Sequence, residues 1–165
     1  LDDRWPREKW PVYSGKIDIA LFEGWCVGAT PQSEKELRVP INKLEETEDR
    51  EGRWRHYVND SLKNEYSELF SKINVLIMLK VPSMKKVFEW RLLQERKLLE
   101  EASDSSKNHV MNTKEVNKFV MHYERLTRYM LEEMPERADM TLFLNDKHQV
   151  EFCKINKFRR KWFSA

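Results

Sequence analysis

The chain predicts an α/β fold, a mainly parallel sheet flanked by helices, with alternating strands and helices in sequence. Three observations predict it. Two short, almost continuous apolar runs, residues 17–22 and 73–79, have the length and composition of strands buried on both faces. Apolar positions recur at helical spacing over 54–70, 83–98 and 112–130. A last pair of short runs, 141–144 and 150–155, flanks the turn-forming stretch Asn145-Asp146-Lys147-His148-Gln149.

The first run, Ile17 to Phe22, stops abruptly at Glu23-Gly24-Trp25, and Gly28, Pro31 and Pro40 then mark a loop. The stretch 42–50 is strongly acidic, with Glu45, Glu46, Glu48 and Asp49. Over 54–70 a helix would present Tyr57, Val58, Leu62, Tyr66, Leu69 and Phe70 as its apolar stripe. The second run ends at Pro82, and Ser83 is placed to cap a long helix carrying Val87, Trp90, Arg91, Gln94 and Leu98. Residues 103–108 are polar and small, and are expected to form a mobile loop. Asn112 or Thr113 starts a third helix, with Glu115 near its N-terminus to complement the dipole. Val116, Phe119, Val120, Tyr123, Leu126, Tyr129 and Met130 form its stripe, and Pro135 is expected to follow its end.

With 165 residues, 40% of them hydrophobic and 12% aromatic, the chain has material for one core. The expected organisation is one domain over 1–155 and a basic tail over 156–165, where Lys157, Arg159, Arg160 and Lys161 read as a solvated end. A net charge of +2 gives no general attraction to nucleic acid, and no apolar run reaches the roughly 18 residues of a membrane span. No basic-then-apolar leader opens these residues, so a soluble, cytoplasmic protein is expected. Leu1, followed by Trp5-Pro6 and Trp10-Pro11, reads as interior sequence, with further residues expected upstream. Cys26 and Cys153 follow no ligand spacing and are expected as buried, reduced thiols. His56, His109, His122 and His148 share no mutual spacing that would hold a metal.

Chemistry points first to the carboxylate at the end of the run 17–22. Ligands of open α/β sheets sit beyond the carboxyl ends of strands, and an acid there can hold magnesium while a glycine lets phosphate approach the backbone. Many buried strands end in an acid for no such reason, so spacing alone leaves both readings of Glu23 open.

Residues 22–28, Phe22-Glu23-Gly24-Trp25-Cys26-Val27-Gly28, resemble the EGW-x-x-G segment of the D-glycerate kinase-like branch of P-loop kinases. The likeness continues through Val39-Pro40-Ile41-Asn42, Leu44-Glu45, Trp54-Arg55 and Val58-Asn59. It then takes in Trp90-Arg91-Leu92-Leu93-Gln94-Glu95, Met111-Asn112, Glu115-Val116 and Tyr123-Glu124-Arg125-Leu126-Thr127-Arg128. Taken together, the segments EGW-x-x-G, WR-x-x-QE and YERLTR are specific.

The resemblance implies ATP-dependent phosphorylation of D-glycerate or a similar small hydroxy acid, on the fold of uridine kinase and pantothenate kinase, with ATP and Mg2+ as cofactors. It implies that Glu23 is the catalytic, metal-linked acid and that Gly24 lies beside the nucleotide. Arg91 and Arg96 would lie on a lid helix, where guanidinium groups neutralise the transferring phosphoryl group. Trp25, Asn42 and Arg125 are the implied substrate contacts. Helix-surface pairing offers a plainer reading: Arg91 and Arg96 with Glu95 or Glu89, and Arg125 and Arg128 with Glu124 or Glu132. Trp54 and Trp90 are expected in the core, and Trp25 is left open.

A phosphate-cradling loop, G-x-x-x-x-G-K-[ST], is not among these residues: Gly15, Gly24, Gly28 and Gly52 are the only glycines, and none opens it. The chain alone is therefore expected to be inactive. The alternative to a kinase is a non-catalytic relative that keeps the scaffold as an interaction or regulatory module.

Overall fold

The structure, a computed structural model, describes residues 6–101 and 110–156. Its centre is a 25-residue helix, α6 (Thr113–Arg137). The N-terminus of α6 is closed by the residues that the sequence offers for it. The Asn112 side chain accepts from the amides of Lys114 and Glu115, and the Glu115 carboxylate accepts from the Asn112 amide at 2.8 Å. Val116, Val120, Leu126, Met130 and Met134 are buried along one side. Leu126, Met130 and Met134 pack with Ala29, Leu62, Met78 and Ala138 into the main core, where each large side chain contributes about 1.5–3 kcal/mol. Pro135 sits inside the last turn of α6, not beyond it. It is buried there, and its carbonyl accepts from the Asn156 side-chain amide at 2.6 Å.

Three strands form one sheet in the order β1 (Ile77–Lys80), β2 (Met140–Leu144), β3 (Val150–Ile155). β1 and β2 are parallel, joined by α5 (Met84–Glu101) and α6, and β2 and β3 form an antiparallel hairpin. The mixed α/β class therefore stands, with one parallel and one antiparallel pair among the described residues. At the amino ends of β1 and β2, Leu76 and Asp139 clamp each other. The Leu76 amide donates to the Asp139 carboxylate at 2.8 Å, and the Asp139 amide donates back to the Leu76 carbonyl at 2.9 Å.

Register puts Met78 and Thr141 on the face that α6 covers. Ile77 and Leu79 share the opposite face with Met140, Leu142, Cys153 and Ile155, and that face is largely open, with Leu79 61% exposed. The second run thus forms a shorter strand than 73–79 and is buried on one side only. Cys153 lies exposed on the open face and Cys26 is half-buried, its thiol pushed up by burial. The expectation of two buried thiols fails at Cys153.

The first run does not join the sheet. Residues 17–22 form no strand, and Ile19 and Leu21 are 81% and 93% exposed. A four- to six-residue strand is stable only through neighbours that pair with it and cover it. β1 has β2 and α6, whereas 17–22 has no partner among the described residues.

Four short helices lead from the N-terminal part to the sheet: α1 (Glu34–Leu37), α2 (Lys43–Glu48), α3 (Arg53–Lys63) and α4 (Glu65–Phe70). The helix expected over 54–70 is broken at Asn64, whose side chain turns back to the Asp60 carbonyl at 2.9 Å. Buried Arg55 ties α3 to its surroundings through the Leu37 carbonyl at 2.6 Å and Asp49 at 3.0 Å. Trp54, beside it, is half-exposed and not a core residue. The polar break 103–108 and the basic residues of the tail lie outside the described residues.

Candidate functional site

The carboxyl ends of β1 and β2 point toward the part of the molecule built by α5 and the N-terminal half of α6. These two helices form an antiparallel pair, and Arg91 lies between them. Its guanidinium stands over the Phe119 ring at 4.9 Å, is paired with Glu95, and donates to the Gln94 side chain. Glu95 is only 3% exposed, and its second oxygen accepts from the Met111 amide at 2.9 Å, which fixes the carboxylate against the start of α6. Arg91 therefore makes the pair with Glu95 that its helical spacing allows, and its buried Nε–H has no acceptor among the described residues.

Beside Arg91, a groove of about 400 Å3 is lined by Trp90, Arg91, Leu93, Gln94, Lys97 and His148. Trp90 is half-buried and lies against His148, ring centroids 3.8 Å apart. His148 belongs to the β2–β3 turn, which is held to α5 by Lys86: the ammonium meets Asp146 at 2.9 Å and Glu89 at 2.8 Å. Hydrogen bonds to Glu89 and Asp146 raise the Lys86 pKa. Lys97 and His148 were not anticipated from sequence. Arg96 is exposed on α5 and does not line this groove.

The segment Glu23-Gly24-Trp25 reaches α6 from another direction. The Trp25 indole donates to the Thr127 hydroxyl at 2.9 Å and meets Tyr123 edge-on at 4.8 Å. Tyr123 in turn packs on Phe119 at 4.8 Å, the ring beneath Arg91. A ladder of aromatic rings on α6 thus links Trp25 to Arg91. Glu23 is exposed on irregular chain just before it, and the Gly24 carbonyl accepts from Val27 at 3.4 Å in the turn that follows.

Asn42 and Arg125 are placed at a different junction. Asn42 caps α2 by accepting from the Glu45 amide, and donates to Met121 and Glu124 of α6. Arg125 forks onto Glu45 at 2.7 and 2.8 Å and donates further to the carbonyls of Glu36 and Val39. Arg125 therefore pairs across the fold with Glu45, not along its helix with Glu124 or Glu132. Arg128 does make the helix pair, with Glu124 at 2.6 Å.

A larger cleft of about 630 Å3 opens at the other end of the sheet, between Gly28–Pro31 of the loop, Phe70, Leu76 and Asp139. It lies at the amino ends of β1 and β2, where open α/β sheets do not bind their ligands. No group of three or more His, Cys, Asp or Glu side chains suited to a metal occurs among the described residues. Magnesium in kinases is held by one or two carboxylates together with substrate phosphates. An exposed acid such as Glu23, which makes no hydrogen bond or ion pair with the described residues, fits that mode. Among the described residues no helix is long and apolar enough to cross a membrane.

No protein-family model matches the chain. It is 26% identical over 121 residues to the chloroplastic D-glycerate 3-kinase of Arabidopsis thaliana, covering 73% of this chain and 23% of that protein. It is 30% identical over 128 residues to a protein of Schizosaccharomyces pombe described as an uncharacterized kinase, covering 73% and 41%. The fold is similar to that of D-glycerate 3-kinase from Cryptococcus neoformans, with a TM-score of 0.59 at 23% identity over 86% of this chain and 50% of the other. The chain thus spans between about a quarter and a half of the length of the proteins it matches. In sequence the chain is thus similar to a D-glycerate 3-kinase and to a further kinase, and in fold to a D-glycerate 3-kinase.

Proposed function

We propose that this chain forms part of an ATP-dependent phosphotransferase that phosphorylates a hydroxyl group of D-glycerate or a similar hydroxy acid. The observation that carries this reading is Arg91, seated past the carboxyl ends of β1 and β2 by buried Glu95 and Phe119 and lining the groove beside α5. A cation fixed in that way stabilises charge on a phosphoryl group in transfer without having to reorganise. Two relatives named D-glycerate 3-kinase support the substrate class. Trp25 and Gly24, joined to Arg91 through Tyr123 and Phe119, would form the opposite wall. Glu23 would hold magnesium, which supplies charge neutralisation at the phosphates. Arg125 and Asn42 would act at a distance, by keeping α2 seated on α6.

These 165 residues contain no G-x-x-x-x-G-K-[ST] loop, so the chain alone is expected to bind nucleotide weakly and to turn over nothing. The test is an assay of phosphoryl transfer from magnesium ATP to D-glycerate, run on the chain and on the full-length product of its gene. Turnover by the full-length product that falls about 100-fold with Arg91→Ala supports the reading. A full-length product without transfer to any small hydroxy acid overturns it. The open apolar face of the sheet would then favour the interaction module, since an uncovered β-face is a surface for another polypeptide.

A further inference from the structure

We infer that Thr127 and Tyr123 are positioning residues for phosphoryl transfer: acting through Trp25, they set where the Glu23-Gly24 segment stands relative to Arg91. The inference rests on the kinase reading above and gives it a requirement, that the two walls of the site be held at a fixed separation. Phe119, Tyr123 and Thr127 recur every four residues, so they lie along one ridge of α6. Arg91 rests over the first of them, and Trp25 is anchored at the second and third. Eight residues of helix set the ends of this row about 12 Å apart. The helix is capped by Asn112 and Glu115 and carries buried Val116, Val120, Leu126 and Met130, so that spacing is a rigid one.

The row does little for stability. Trp25, Tyr123 and Thr127 stand outside the main core, Trp25 is 46% exposed, and its bond to Thr127 is open to solvent. Water replaces either partner there, so the bond is worth little to folding. Position is another matter. The indole N–H can only donate, and the Thr127 oxygen accepts it at 2.9 Å, which fixes the direction of the ring as well as its place. Tyr123 meets the ring at 86°, the edge-on arrangement that aromatic quadrupoles prefer. The run before Glu23 forms no strand, so the segment takes its orientation from Trp25 and from the turn behind it, where Val27 donates to Gly24 and Ala29 to Cys26. A reacting group misplaced by about 1 Å costs roughly 100-fold in rate. Geometry, not stability, is what this contact decides.

The test uses Thr127→Val, which keeps the shape of the side chain and removes its oxygen, and Thr127→Ser, which gives the oxygen back. In the full-length product Thr127→Val should lower kcat for D-glycerate about 10-fold, short of the loss from a full ångström. KM should change by less than about 2-fold, and Thr127→Ser should bring kcat back to within about 2-fold of the wild type. NMR of the isotope-labelled chain reads the geometry directly. Thr127→Val should move the Trp25 indole and the Glu23 and Gly24 amides while Arg91 and the urea midpoint stay put, and Tyr123→Leu, which removes the middle ring, should move both ends of the row. The inference is overturned if Thr127→Val leaves the Glu23 and Gly24 amides unmoved, if its loss of rate lies in KM alone, or if serine fails to restore kcat. A wild-type full-length product that transfers nothing to D-glycerate or another small hydroxy acid sinks the kinase reading. Transfer by the wild type that Thr127→Val leaves undiminished sinks the positioning role alone.

Discussion

Two arginine–glutamate junctions bear on α6, and they differ in how completely they are satisfied. At one, Arg125 spends its guanidinium on Glu45 and on the carbonyls of Glu36 and Val39, while Glu45 also accepts from the Ile41 amide at 3.0 Å. At the other, Glu95 is saturated by Arg91 and the Met111 amide, but Arg91 keeps a buried N–H with no acceptor among the described residues. A saturated junction is a fastening. A junction whose guanidinium also lines an open groove, as that of Arg91 does, presents a held cation. Both arginines look alike in sequence, in a helix among acids, and only the tally of donors separates them.

The comparison is tested most severely at Arg125. Arg125→Ala strands a buried carboxylate, and should destabilise the chain by about 3 kcal/mol in urea unfolding. A loss below about 1 kcal/mol would show the junction to be dispensable. Arg91→Lys keeps a charge beside Glu95 but loses the planar fork, so stability should change little while turnover of the full-length product falls about 100-fold. Equal losses of stability at the two sites would erase the distinction. Asn112→Ala, which removes the cap next to Met111 and so loosens the seat of Glu95, should cost about 1 kcal/mol.

The smallest effect is in acid. The Ser33 hydroxyl and amide donate to Glu36 and hold its carboxyl below the usual value of 4.5. A depressed folded pKa contributes stability above the usual value and loses it as pH falls through the lowered one. Replacing Glu36 by Gln should therefore flatten, slightly, the acid limb of unfolding midpoints measured down to about pH 3.

What was legible in the sequence was what local chemistry decides. Asn112 with Glu115, Ser83 after Pro82, and the turn at 145–149 each carry their own start or stop signals, and α5, α6 and the β2–β3 hairpin stand where those signals put them. The run 17–22 has the same apolar composition as β1, but a strand is a relation between segments, and only β1 finds its partner. The site was half legible. Arg91, Glu95 and Gln94 could be read from one helix, and Lys97 could have been found on the same face as Trp90. His148 could not, because its meeting with Trp90 depends on how a distant hairpin turn folds back on α5. The Arg125–Glu45 pairing was hidden for the same reason: helical spacing offered Glu124 and Glu132, whereas tertiary packing supplied Glu45.

The clamp between Leu76 and Asp139 has a consequence for how this architecture can vary. It sets the alignment of β1 and β2 at their amino ends, before either helix of the crossover bears on it. The α5–α6 pair then leaves from one strand and returns to the other with the alignment already fixed. Turns could be added to both helices, or the connection between them lengthened, without shifting a single residue pair in the sheet. Reach beyond the sheet is therefore a dimension this scaffold can change by insertion or deletion, while the frame beneath it stays constant.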